Sequence, residues 1–272
     1  MILMKDKIVN IALFFFIITF FYSSYKLVEW FIDNNKNDKV ITSINKDVEI
    51  KEIPIITTTT KPSDKENTTT KTENIYYDYT KLSLIDVDLT ELVKRNKDTK
   101  GWIQVKGTNI NYPYVQGKDN EYYLTRSFDK KYTDAGWVFM DYRNNPIDFD
   151  KNTIIYAHAR KNNTMFGELD KLLKNDWYKN KDNHFINIST LKYNSVCQVF
   201  SVYHIPTTTD YMQIKFSSDE EFLTFANKLK SRSNKTYKTS IKKEDKILTL
   251  STCYNDTDKL VVHAKLISIQ AK

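Results

Sequence analysis

The hydrophobic and polar positions divide the chain into three parts. Residues 8–32 are almost continuously apolar and begin with the run IVNIALFFFIITFFY, which is interrupted by Asn10 and Thr19. An apolar stretch of about 20 residues is long enough to cross a bilayer as a helix. Residues 33–74 are dominated by Thr, Lys, Asn and Glu, and from residue 75 onwards short apolar runs alternate with turn residues. The pattern predicts a membrane-spanning segment, a polar connecting segment and a folded head.

The apolar segment is interpreted as an uncleaved signal anchor. A cleaved signal peptide is the alternative, but the following residues, FYSSYKLVEW, are too bulky for a small-x-small cleavage site. Lys5 and Lys7 precede the segment, and positive charges favour the cytoplasmic side of a membrane. We therefore expect a single-pass protein of the cell membrane, with residues 1–7 in the cytoplasm, a transmembrane helix over 8–32 and the rest of the chain outside.

The polar connecting segment predicts a flexible extracellular stalk over residues 33–74. Its run TTTTKPSDKENTTT has no apolar period. Such a composition buries too little apolar surface to offset the conformational entropy lost on folding. We expect this stalk to hold the head, residues 75–272, away from the membrane.

The head has the pattern of a mainly β protein. Seven or eight short apolar runs, among them NTIIYAH, HFINIS and KILTLS, are separated by turn residues, which favours an antiparallel barrel or sandwich. Helices are predicted at its rim in DVDLTELVKRNKDTKGWI, with Asp88 as N-cap, and in TMFGELDKLLKNDWY. A further helix is predicted in SSDEEFLTFANKLK, which begins with the capping-box pair Ser218 and Glu221.

Composition narrows the possible functions. The formal net charge of +7 comes from 41 basic and 34 acidic residues spread along the chain, without a nucleic-acid-binding motif, so no nucleic-acid partner is expected. The four histidines and two cysteines never occur at the short paired spacings of structural metal sites. We therefore expect no metal and no cofactor. Cys197, inside the apolar run SVCQVFSVYHI, is expected to be a buried, inert thiol.

The residues that could carry chemistry lie at the ends of predicted strands. The run KILTLS leads into Cys253, Lys259 begins the next apolar run six residues later, and NTIIYAH ends at His158. If the last two strands are antiparallel neighbours, Lys259 lies near the thiol. A free cysteine thiol has a pKa of ~8.5, so it is mostly protonated at neutral pH. A nearby imidazolium and a nearby cation favour the thiolate form. The alternative is that His158 caps a strand and Cys253 is a small buried residue, whereas His263, inside a strand pattern, is expected to be structural.

Several motifs resemble those of the sortases, most closely the class B sortases. They are TLSTC (249–253), NTIIYAH, NTMFGEL, GWIQVKGTNINYPYVQGKDNEYYL (101–124) and AGWVFMDYRN (135–144). The resemblance covers roughly residues 82–272. It implies a closed β-barrel of about eight strands with an N-terminal helix and peripheral helices, preceded in this chain by the transmembrane helix.

The resemblance also implies an activity. Class B sortases are membrane-anchored cysteine transpeptidases of Gram-positive surfaces, with cysteine endopeptidase chemistry, that cleave a C-terminal sorting signal of secreted proteins. By this likeness, Cys253 would attack the scissile carbonyl of an NPxTN- or PxTG-like signal and form a thioester. His158 would act as general acid and base, and Thr252 and Ser251 would contact the substrate. An amine of a peptidoglycan precursor would then resolve the thioester and attach the protein to the cell wall.

One position departs from the family pattern. The sortases have an arginine at the start of the last strand, where this chain has Lys259. A lysine can stabilise a developing oxyanion as a point charge, but it lacks the two-pronged geometry of a guanidinium. Arg160, two residues after His158, is an alternative source of positive charge.

Two other functions are considered. A papain-like endopeptidase has its cysteine before its histidine, in a Cys-Gly-Ser-Cys-Trp-like context, whereas here the histidine comes first and that context is missing. A catalytically weak or vestigial surface-binding module is the second alternative, because the family arginine is replaced.

Overall fold

A closed barrel of eight strands forms the centre of the computed structural model. The structure describes residues 2–55, 77–253 and 257–272, and the side chains of residues 2–8 and of Cys253 lie outside this description. The strands are β1 (Ile50–Pro54), β2 (Ser83–Val87), β3 (Thr99–Val105), β4 (Asn111–Val115), β5 (Phe139–Met140), β6 (Asn152–Tyr156), β7 (Phe185–Thr190), β8 (Tyr193–Pro206), β9 (Ile247–Cys253) and β10 (Asp258–Ala271). The α-helices are α1 (Ile2–Asp47), α2 (Thr90–Arg95), α3 (Asn175–Lys179) and α4 (Asp219–Ser231).

The order of strands around the barrel is β10, β8, β7, β3, β4, β5, β6 and β9, which confirms the predicted closed eight-stranded barrel. The neighbours are antiparallel except for β4–β5 and β6–β9, which are parallel. β1 and β2 form a separate antiparallel pair on the outside. Most barrel strands are buried on both faces, because α4 covers the outer face of β8 and the β1–β2 pair covers part of β7 and β8.

The helix predicted at SSDEEFLTFANKLK is present as α4 and has the predicted N-terminal cap. The Ser218 hydroxyl accepts a hydrogen bond from the Glu221 amide at 3.1 Å. The Glu221 carboxylate accepts one in return from the amide of Ser217, one residue earlier than in a standard capping box. Phe222, Phe225 and Leu229 lie on the buried face of the helix.

The other two predicted helices are shorter than their patterns suggested. The predicted N-cap at Asp88 is wrong: the N-cap position is Leu89, although the Asp88 carboxylate accepts a hydrogen bond from the Thr90 amide. α2 ends at Arg95, and the buried side-chain amide of the C-cap residue Asn96 donates to the Phe128 carbonyl. In TMFGELDKLLKNDWY a 3₁₀-helix (Gly167–Leu173) precedes the short α3. The apolar residues there recur at intervals of three, which suits the 3₁₀-helix because its residues i and i+3 lie one above the other.

The predicted flexible stalk is wrong for residues 33–54. α1 continues to Asp47, its Ile44 side chain is only 1% exposed in the core of the head, and β1 pairs with β2. The average composition of residues 33–54 is polar. Their apolar residues, however, lie on one face of the C-terminal end of α1 and in β1, and together they bury enough surface for this segment to fold. The remainder of the predicted stalk, from residue 56, lies outside the described residues.

The first part of α1 fits the predicted membrane anchor. The helix contains a stretch that is long and apolar enough to cross a membrane, and the large apolar side chains between Val9 and Ile32 are exposed. At a rise of 1.5 Å per residue, this stretch is roughly 36 Å long, compared with about 30 Å for the hydrocarbon core of a bilayer.

Candidate active site

A cavity of about 240 Å³ opens at the end of the barrel where β6 and β9 finish and β10 begins. It lies beside each of the predicted site residues whose side chain the structure describes. Its lining residues are Asn120, Leu124, Phe139, Tyr156, Ala157, His158, Met212, Ser251, Thr252 and Lys259.

The parallel pairing of β6 with β9 brings the chain ends that carry His158 and Cys253 together. Tyr156 is the register partner of Ser251, and the Ala157 amide donates to the Ser251 carbonyl at 3.4 Å. His158 lies two residues after Tyr156, and Cys253 lies two residues after Ser251. Both chains run in the same direction, so the two residues reach the same edge of the barrel at the same level.

Lys259 reaches this edge from the third strand. β10 is antiparallel to β9, as the sequence suggested, and the register makes Lys259 the direct backbone partner of Cys253. On its other side, Lys259 is paired with Ile205 of β8. The backbone of Lys259 is therefore held by ladders on both sides, while its side chain lines the cavity.

The imidazole of His158 is oriented by a backbone carbonyl. Its Nε2 lies 2.8 Å from the carbonyl oxygen of Leu124. A carbonyl can only accept, so Nε2 donates, and in the neutral ring the lone pair is then on Nδ1. The main chain of His158 is fixed as well, because its carbonyl accepts a hydrogen bond from the Phe166 amide at 3.0 Å. The arrangement leaves Nδ1 as the atom that can take up or release a proton.

Ser251 and Thr252 form the inner wall of the cavity, and each residue is only 4% exposed. The Ser251 hydroxyl lies 2.9 Å from the hydroxyl of Tyr211. The Thr252 hydroxyl is buried and has no hydrogen-bond partner among the described residues. A buried hydroxyl without a partner is costly, so this group is available to a molecule that enters the cavity.

A buried carboxylate behind the cavity was not identified from the sequence. Asp141 is fully buried and accepts hydrogen bonds from Arg143, Tyr156 and Asn120, at 2.8, 2.9 and 3.0 Å. Burial would raise the pKa of Asp141, but these hydrogen bonds, above all those from Arg143, hold it below its usual value. Two of the donors, Tyr156 and Asn120, line the cavity, so Asp141 fixes two segments of its wall.

Cys197 and Arg160, the other two residues considered at the sequence level, lie away from the cavity. Cys197 is completely buried, which agrees with the expected inert thiol, and burial raises its pKa far above the usual value. Arg160 does not line the cavity: its guanidinium donates to the side chains of Asp33 and Asn34 on α1. Among the described side chains at the cavity, Lys259 therefore supplies the positive charge.

Comparisons with known proteins agree with this geometry. The family model of the sortase domain matches residues 103–267. Sortase B of Staphylococcus aureus (strain NCTC 8325 / PS 47) is 39% identical over 184 residues, which are 65% of this chain and 74% of that protein.

Solved structures are similar over the same region. A Bacillus anthracis protein described as similar to sortase B has a TM-score of 0.61 at 40% identity, over 68% of this chain and 83% of that chain. A Staphylococcus aureus sortase B–substrate complex has a TM-score of 0.62 at 36% identity, over 66% of this chain and 84% of that chain. This chain therefore belongs to the sortase family, as a class B sortase.

Proposed function

We propose that this chain is a membrane-anchored cysteine transpeptidase that cleaves a C-terminal sorting signal of secreted proteins and joins them to an amine of the cell wall. The observation that carries the proposal is the register that brings the chain positions of His158, Cys253 and Lys259 to one edge of the barrel, beside a single cavity. A histidine, a thiol and a cation are the groups that nucleophilic acyl transfer needs.

In the first half of the reaction, the Cys253 thiolate attacks the carbonyl carbon of the scissile peptide bond. Negative charge develops on the carbonyl oxygen, and the Lys259 ammonium stabilises it. His158, in its protonated form, donates a proton to the departing amine as the carbon–nitrogen bond breaks. The product is a thioester between Cys253 and the new carboxyl end of the secreted protein.

In the second half, an amine of a peptidoglycan precursor attacks the thioester. His158, now neutral, takes the proton from the attacking nitrogen, and the carbon–sulfur bond breaks to release the Cys253 thiolate. The lone pair that the neutral ring carries on Nδ1, while Nε2 donates to the Leu124 carbonyl, suits both proton transfers. Over the whole reaction, one amide bond is broken and one is formed.

The cavity beside these residues suits an extended peptide of the NPxTN- or PxTG-like type. Its lining combines apolar side chains, such as Leu124, Phe139 and Met212, with polar groups. The unpartnered Thr252 hydroxyl and the Ser251 side chain are offered as substrate contacts next to the nucleophile. A substrate complex of a Staphylococcus aureus sortase B is among the similar structures, which supports substrate binding by this chain.

The location proposed for the enzyme is the outer face of the cell membrane. The apolar part of α1 spans the bilayer, with residues 1–7 in the cytoplasm and the barrel outside, because Lys5 and Lys7 precede the span. Secreted proteins and peptidoglycan precursors are both available on that side.

The experiment that tests the proposal uses the full chain in detergent micelles. It is incubated with a peptide library built on NPxTN- and PxTG-like signals, with and without a short peptide that carries a free amino terminus. The expected result is an amide between the signal and the added peptide, detected by mass spectrometry. Hydrolysis of the signal peptide at the same rate with and without the added amine, and no amide product, would indicate an endopeptidase. The absence of both products would indicate a binding module. Either result contradicts the proposal.

A further inference from the structure

Arg160 connects the loop that carries His158 to the membrane helix. Its guanidinium donates to Asp33 at 3.2 Å and to the side-chain oxygen of Asn34 at 2.6 Å. The Arg160 and Asp33 side chains are only 12% and 15% exposed. A charge pair with so little solvent contact is sensitive to the loss of either partner, because the remaining charge is left without compensation.

The helix side of this contact is fixed by further hydrogen bonds. The Asp33 carboxylate also accepts from the Thr133 hydroxyl at 2.7 Å and from the Asp134 amide at 3.2 Å. The Asn34 side chain is buried. Asp33 is therefore an attachment point where α1, the segment at 133–134 and the loop after β6 meet.

On the loop side of the contact, the main chain links the position of Arg160 to that of His158. The Arg160 carbonyl accepts from the Asn163 amide at 3.0 Å, and Ala159 forms an isolated β-bridge with Met165. Gly167 packs against the same carbonyl so closely that an added Cβ would lie 2.4 Å from the oxygen. A loop closed in this way has little freedom, so a displacement of Arg160 also displaces His158, two residues earlier.

We infer that Arg160 is a positioning residue, and that its ion pair with Asp33 makes the membrane helix part of the support for the catalytic histidine. This inference rests on the proposed function, because it assigns a role to the support of His158 in acyl transfer. Displacing a catalytic group by about 1 Å can cost up to ~10²-fold in rate, so a contact of this kind affects catalysis without touching the substrate.

The same contact fixes the height of the active site above the membrane. Asp33 directly follows Ile32, the last residue of the exposed apolar stretch of α1. At 1.5 Å per residue, the attachment point lies within about one helical turn of the end of that stretch. The loop that carries His158 is thereby held close to the end of the apolar stretch of α1.

The test uses the full chain in detergent micelles and the best substrate peptide from the library. Arg160→Ala and Asp33→Ala are each expected to lower kcat about 10- to 100-fold, while KM changes little, since neither residue contacts the peptide. The two effects are expected to be less than additive in the double variant, because both changes break the Arg160–Asp33 ion pair. Arg160→Lys, which keeps the charge, is expected to recover most of the lost kcat.

The matched control is Asp47→Ala. Asp47 is also an acidic residue of α1 that faces an arginine of the head, with its carboxylate 3.8 Å from Arg95, but it is about half exposed and far along the helix from Asp33. It is expected to leave kcat within about twofold of the wild type, as surface ion pairs contribute little.

The outcomes separate this inference from the proposed function. A wild-type chain that forms no product contradicts the proposed function itself. An active wild type with unchanged kcat in Arg160→Ala and Asp33→Ala contradicts only the inference, as does a fall in kcat that is additive in the double variant. If Arg160→Ala does not fold, Asp33→Asn, which preserves side-chain volume, decides the question: a fall in kcat at unchanged KM supports the inference, and an unchanged kcat contradicts it.

Discussion

Lys259 is the antiparallel backbone partner of Cys253 across β9 and β10. Residues directly opposite each other in an antiparallel pair have their Cβ atoms about 4.5–5.5 Å apart, on one face of the sheet. The pairing of Lys259 with Ile205 on its other side means that the position is part of the barrel rather than of a loop. The backbone of Lys259 is therefore fixed at the edge of the cavity that its side chain lines.

The first prediction concerns the charge of Lys259. If its ammonium stabilises the oxyanion, Lys259→Ala should lower kcat by ~10²–10³, or about 3–4 kcal/mol, with little change in KM. Lys259→Arg restores the residue of the family and a two-pronged donor, so it should retain or raise activity. Lys259→Gln keeps hydrogen bonding without the charge, so its kcat should lie between those of Lys259→Ala and Lys259→Arg. Steady-state kinetics with the best substrate peptide measures all three.

The sequence offered Arg160 as an alternative source of positive charge for the oxyanion, but its guanidinium donates to Asp33 and Asn34 and does not line the cavity. Lys259→Arg, which restores the family arginine, distinguishes the two residues. A gain in kcat from this change is expected only if position 259, and not Arg160, faces the oxyanion. A Lys259→Ala variant with wild-type kcat would remove this residue from the site.

A second prediction concerns where the soluble head begins. A chain that starts at residue 33 should be soluble, folded and active, because it lacks the exposed apolar stretch but keeps the packed end of α1. A chain that starts at residue 75, the boundary indicated by composition, should be markedly less stable. Burial of Ile44 alone contributes about 1.5–3 kcal/mol, and the pairing of β1 with β2 is lost as well. Thermal and denaturant unfolding of the two chains should give clearly different midpoints, and equal midpoints would mean that residues 33–54 add nothing.

A third prediction concerns the carboxylate behind the cavity. Asp141→Asn removes the charge to which Arg143, Tyr156 and Asn120 donate, so the wall of the cavity should loosen. Hydrogen bonds to a charged group are worth about 1.5–3 kcal/mol, and we expect KM for the peptide to rise about tenfold or more. Alkylation of Cys253 by a small reagent should be unaffected, because the nucleophile itself is unchanged.

The control for this change is Asp129→Asn. Asp129 forms a two-pronged pair with Arg95, at 2.6 and 2.8 Å, away from the cavity. The charge change is identical, so a similar rise in KM in both variants would show that loss of a carboxylate anywhere weakens binding, against a specific role of Asp141.

A fourth prediction concerns His263 and the pH dependence of stability. The ring is fully buried between the Thr249 and Tyr203 hydroxyls, and burial, with a smaller effect of Arg232, lowers its pKa from 6.5 to about 3. Between these values the unfolded chain binds a proton that the folded chain does not, so the free energy of unfolding falls as the pH drops below about 6.5. At pH 5 this loss amounts to about 2 kcal/mol.

The measurement is denaturant unfolding of the wild type and of His263→Gln at pH 7 and pH 5. The glutamine cannot titrate, so its loss of stability between the two pH values should be smaller than that of the wild type by about 2 kcal/mol. Equal losses in both proteins would mean that His263 does not have the depressed pKa.

The residues at strand ends could be found from the sequence because their signal is local. An apolar run that stops at His158 or leads into Cys253 indicates a strand that ends at a polar residue, and the short spacing from Cys253 to Lys259 indicates two adjacent strands. The pairing of β6 with β9 is different, because it joins segments far apart in the chain and runs parallel. No local pattern in the sequence specifies such a partner, so this pairing was not predicted.

The end of α1 was misjudged because composition was averaged over a long window. Val40, Ile41 and Ile44 lie among Lys, Asn, Asp and Thr, so the segment reads as polar although its apolar residues share one face. The role of Asp141 was missed for another reason. The motif AGWVFMDYRN was visible, but the partners of its carboxylate, Asn120 and Tyr156, come from other segments that meet only in the folded barrel.

The proposed mechanism requires a covalent intermediate at one cysteine, Cys253. The most direct measurement is mass spectrometry of the full chain after brief exposure to the best substrate peptide, followed by digestion to locate the adduct. We expect an acyl group on the fragment that contains Cys253, removed when a peptide with a free amino terminus is added, absent from Cys253→Ala and retained in Cys197→Ala. An adduct on Cys197, product formation by Cys253→Ala, or turnover without any acylated Cys253 would contradict the mechanism.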